Sequence, residues 1–117
     1  MGNKPRGIRN NNPGNIRISQ SKWQGKLPVE ENTDGSFEQF SSPVMGIRAL
    51  ARLLLMYNVQ GINTISGIIK KYAPPNENNT NKYTTFVAIE MGKSKAEILD
   101  FDDYETMLAL VKAIINK

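Results

Sequence analysis

The chain has no cysteine and no histidine. Disulfide staples, thiolate or imidazole metal sites, cysteine nucleophiles and a serine–histidine–aspartate relay are therefore excluded. Any proton transfer would fall to Asp, Glu, Tyr or Lys, and stability has to come from packing. Nothing calls for a metal or a cofactor. Long apolar runs are also missing: none exceeds Leu53-Leu54-Leu55-Met56-Tyr57, which is far short of the roughly 18 residues that suggest a membrane span. No basic flank followed by an apolar stretch opens the chain, so no signal peptide is expected. Acid is absent from the first 29 residues, which carry Lys4, Arg6, Arg9, Arg17, Lys22 and Lys26 before the first carboxylate at Glu30. Such an arm attracts anions, among them nucleic acid and anionic wall polymers.

What the arm does contain is a dense run of turn-forming and polar residues, Arg6-Gly7-Ile8-Arg9-Asn10-Asn11-Asn12-Pro13-Gly14-Asn15-Ile16-Arg17, followed by Trp23-Gln24-Gly25. Asn bonds its own backbone and tolerates positive φ, Pro fixes φ, and Gly removes the steric penalty, so the run reads as irregular rather than helical. The amides of Asn10, Asn11, Asn12 and Asn15, the guanidinium groups of Arg9 and Arg17, and the single Trp23 are candidate ligand contacts in a groove for a polar or anionic polymer. The alternative is a loop that caps a core.

With 117 residues the chain has the size of one domain with one core. Its organisation reads as a basic irregular arm and hairpin over 1–41 and a helical part over 42–117. Ile16–Ile18, Leu27–Val29 and Ser36–Phe40 read as short extended pieces, with an Asp34-Gly35 turn before the last. Ser42-Pro43 is a helix start, and Ile47, Leu50, Leu53, Leu54 and Tyr57 recur at three and four to form one apolar face. Thr64 caps a helix carrying Ile65, Ile68 and Ile69 that Pro74-Pro75 stops. A third helix starts near Asn79 or Thr80 and ends at Gly92, and Ser94–Glu97 opens a short turn. The last helix begins around Asp102, with Tyr104, Leu108, Val111 and Ile115 on its apolar face. The expected fold class is α+β, mainly helical, with a short β-hairpin.

The amide run, Trp23-Gln24-Gly25, Phe37-Glu38-Gln39-Phe40, Gly46-Ile47-Arg48-Ala49 and Tyr72-Ala73-Pro74-Pro75-Asn76-Glu77-Asn78-Asn79-Thr80 together resemble the small structural, or virion, proteins of phages and prophages. The layout is also similar, more loosely, to lysozyme-like peptidoglycan glucosaminidases and transglycosylases, which arrange a polar loop, a hairpin and a long helix around a glycan groove. That second resemblance implies a lysozyme-like fold, a glycosidase activity and bacterial peptidoglycan as ligand. The glutamate that such enzymes carry on a helix ahead of the loop has no counterpart, since only Met1–Pro5 stand there.

Candidate catalytic acids are then Glu30, Glu31 and Glu38, because two carboxyls about 5 Å apart across a hairpin suit a retaining glycosidase. Tyr72, Glu77, Asn78 and Tyr83 are candidate sugar contacts beside them. The expected function is a phage or prophage protein that binds or cuts the cell wall. The alternative is a non-enzymatic virion structural or effector protein, binding a host protein or nucleic acid through the basic arm. Its expected location is the virion or the host cytoplasm, with action in the periplasm.

Overall fold

The computed structural model describes residues 6–75 and 79–116, with side chains from residue 7 onward. Among the described residues five helices form: α1 (Arg6–Arg9), α2 (Pro43–Val59), α3 (Ile65–Tyr72), α4 (Thr80–Met91) and α5 (Tyr104–Asn116), with a 3₁₀ turn at Val29–Glu31. The chain divides into two compact units between Arg52 and Leu53, part-way along α2.

The expected α+β class with a β-hairpin is corrected to an all-α one: no strand occurs among the described residues. In the first unit two isolated antiparallel bridges, Arg17 with Phe37 and Lys26 with Phe40, stand where the hairpin was expected. The reason lies in who bonds the backbone. Residues 36–41 trade two bonds with 16–18 (Ile18 N to Ser36 O, Glu38 N to Ile16 O) and two with 25–27 (Leu27 N to Gln39 O, Ser41 N to Gly25 O). The other carbonyls go to side chains: Asn32 Nδ2 donates to Phe37 O, Asn12 Nδ2 to Glu38 O and Asn11 Nδ2 to Phe40 O. Asparagine amides thus stand in for a ladder, which needs one long partner strand. The Asp34-Gly35 turn does form, held by Asp34 Oδ1 accepting from Ser36 N and Phe37 N. Val29, expected in a strand, lies in the 3₁₀ turn instead. The opening run, expected to avoid helix, contains the single turn α1, and Asn11, with φ 54°, follows it in the left-handed region.

α2 begins at Pro43, where a missing N–H costs nothing, and Ser42 Oγ accepts from Met45 N. Gly46 is required by close approach: a Cβ there would overlap the Asn11 carbonyl oxygen. On this helix Leu50, Leu54 and Tyr57 are buried, as their spacing suggests, but Ile47 is exposed.

In the second unit α3 packs on α4 and α4 on α5. Thr64 Oγ1 caps α3 through Gly67 N, Asn79 Oδ1 caps α4 through Lys82 N, and Gly92 ends α4 at φ 66°. Ile65, Ile68, Ile69, Val87, Leu99, Phe101, Leu110, Val111, Ala113 and Ile114 are buried. The apolar face of α5 is therefore rotated from the expected one, since Tyr104 is 73% exposed and Leu108 is also outside the core. No described helix is long and apolar enough to cross a membrane.

Candidate functional site

Three neighbouring asparagines organise the first unit. Asn12 is fully buried; its Nδ2 donates to Ile16 O (3.0 Å) and Glu38 O (2.9 Å), and its Oδ1 accepts from Ile16 N (3.0 Å). Asn10 is also buried. Its Oδ1 accepts from Gln39 Nε2 (2.9 Å) and its Nδ2 donates to Asp34 Oδ2 (3.2 Å). Gln39 extends the chain of bonds to Thr33, through Thr33 Oγ1 and Thr33 N. These amides, expected to face a ligand, are engaged with their own fold. Asn15 is exposed, with φ 46°.

The three candidate acids do not converge. Glu30 and Glu31 are exposed on the 3₁₀ turn. Glu38 is 2% exposed, and its Oε2 accepts from Lys26 Nζ at 2.9 Å and from Ser19 N at 3.2 Å. Lys26 Nζ in turn donates to Ser19 O (3.0 Å) and Ser21 O (2.9 Å), so the ion pair ties the 19–26 loop to the segment after the Asp34-Gly35 turn. Among the described residues no group of three or more Asp and Glu side chains gathers into a metal-binding set.

The basic arm divides into two kinds of cation. Arg9 Nη2 lies 3.5 Å from Asp34 Oδ2, Lys26 holds Glu38, and Arg17 sits over the Phe37 ring at 4.7 Å. Lys4 lies outside the described residues, as does the Arg6 side chain. Lys22 is exposed and forms no ion pair with a described carboxylate. It lines a cavity of about 190 Å³ together with Trp23, Gln24, Arg48, Ala49 and Arg52. Arg48 and Arg52, also exposed and without a carboxylate partner among the described residues, stand one turn apart on α2. Trp23 is half-buried, and its Nε1 is buried with no hydrogen-bond acceptor. The arginines were not among the expected site residues; their spacing of four, which places them on one exposed helix side, is the signal that points to them.

Tyr72 and Tyr83 lie in the second unit, ring to ring at 6.2 Å and 86°. Tyr83 Oη donates to Ile114 O (3.1 Å), and burial pushes its hydroxyl up to about 12. Burial, and then the neighbouring Tyr83, raise Tyr72 well above the usual tyrosine value. These rings are built into the packing of α3, α4 and α5. Glu77 and Asn78 lie outside the described residues.

No family model matches the chain. It is 41% identical over 115 residues to Protein P5 of Pseudoalteromonas phage PM2, an alignment spanning 95% of this chain and 69% of that protein. The chain belongs to that family of phage proteins. The expected lysozyme-like, peptidoglycan-cleaving function is corrected on these grounds. The described fold is helical, the hairpin meant to oppose two carboxylates does not form, and among the described residues no catalytic cluster is assembled; the relative is a phage protein.

Proposed function

We propose that the chain is a non-enzymatic virion structural or effector protein of a phage that acts by binding, and that its ligand is nucleic acid, held by the basic face of the first unit. The observation that carries this reading is the sorting of charge in that unit. The carboxylates of Asp34 and Glu38 are engaged by Arg9 and Lys26, whereas Lys22, Arg48 and Arg52 have no carboxylate and gather around one cavity. Unpaired cations on one face attract a phosphate backbone and release its counterions.

A mobility-shift assay with labelled single- and double-stranded DNA at low salt tests this. The expected result is binding that weakens as salt is raised; a chain that shifts neither DNA at the lowest salt refutes the reading.

A further inference from the structure

We propose that the Trp23 cavity is a binding subsite for one nucleotide of a single-stranded nucleic acid, with the base against the indole and the flanking phosphates on Arg48, Arg52 and Lys22. This rests on the nucleic-acid reading above and goes further by assigning the site and the strand type.

Four features meet there. First, the cavity wall carries three cations and no carboxylate, so the like charges are left to repel unless an anion enters. Second, Arg48 and Arg52 are four residues apart on α2, about 6 Å along its axis, and each guanidinium offers a fork suited to phosphate oxygens. Third, Ala49 lines the same wall, a small side chain beside two long ones. Fourth, Trp23 stands on the same wall and is only half-buried, which leaves part of the indole open to a base.

The size of the cavity sets the ligand. At about 190 Å³ it is smaller than the roughly 300–1,000 Å³ pockets that enclose whole small molecules. It suits one group of a longer chain. An aromatic platform beside arginines is how single strands, with their splayed bases, are held; duplex offers phosphates but keeps its bases stacked inside.

The test uses the intact chain, whose only tryptophan is Trp23, so that its fluorescence reports this site alone. Oligothymidylate is expected to change Trp23 emission as it binds. The double variant Arg48→Gln/Arg52→Gln alters two exposed side chains and is expected to weaken binding about tenfold at low salt, reducing the salt slope by about two. Trp23→Phe, followed by anisotropy of a labelled strand, is expected to weaken single-strand binding more than duplex binding. Binding by anisotropy with unchanged Trp23 emission, or full affinity in the double variant, overturns the site while leaving the nucleic-acid reading intact. Equal loss of single-strand and duplex binding in Trp23→Phe overturns the strand assignment. Preference for vesicles of anionic phospholipid over oligothymidylate, or no binding to any nucleic acid, overturns the reading itself.

Discussion

Asn12 contributes at the scale of single atoms: one side chain satisfies two carbonyls and one N–H in a buried place. Asn12→Ala strands those groups away from water, and a loss of about 2–3 kcal/mol in urea unfolding is expected, since each buried unsatisfied group costs roughly 1–3 kcal/mol. Glu38 is a parallel case. Replacing it by Gln keeps the shape but leaves Lys26 without its carboxylate. Removing one partner of a buried pair costs about 3–5 kcal/mol, and because the Lys26 side chain is 21% exposed, the low end, about 3 kcal/mol, is expected in the same assay. The residue types were legible in the sequence: Asn10–Asn12 stood out as the most unusual run. Their targets were not, because Phe40, Glu38 and Asp34 lie 24 to 29 positions away. An amide that binds a ligand and one that binds a distant carbonyl look alike in a sequence.

At the scale of elements, helix ends were easier to read than strands. Ser42, Thr64, Asn79 and Gly92 act locally, within four residues of the groups they cap. The short extended pieces depended instead on which segments met, and the asparagines decided that. Gly46 shows the same divide. Read alone it weakens a helix by roughly 1 kcal/mol relative to Ala. In the fold it admits the Asn11 carbonyl, so Gly46→Ala is expected to lower the melting temperature by about 8–12 °C rather than raise it, an overlap of this kind costing about 2–3 kcal/mol. The α3–α4 pair sets the alkaline limit of the second unit. Tyr83 is pushed from 10.0 to about 12 by burial, so the folded state holds its proton where the unfolded chain gives it up. Stability from that tyrosine is complete below pH 10 and is lost as pH rises towards 12. Tyrosinate absorbance is expected to appear together with loss of helical circular dichroism, and Tyr83→Phe is expected to flatten the pH dependence of unfolding across this window.

For the whole molecule, net charge of +4 indicated an anionic partner but not the surface that meets it. The arm that looked most basic spends Arg9, Arg17 and Lys26 on its own loops, and the cations of the first unit that no carboxylate engages among the described residues are Lys22 and two from α2, an element the sequence marked mainly for its apolar face. Membership of the Protein P5 family places the chain among phage proteins, and the distribution of unpaired charge argues for a binding role. The most direct measurement is the salt dependence of DNA binding by the intact chain, as the slope of log K against log salt. With three phosphate contacts, at about 0.7–0.9 per contact, the expected slope is about −2 to −3, and replacing Lys22, Arg48 and Arg52 together by Gln should bring it close to zero. Binding whose slope is unchanged by that replacement, or a native chain with no salt-dependent binding, would contradict the assignment of nucleic-acid binding to this face.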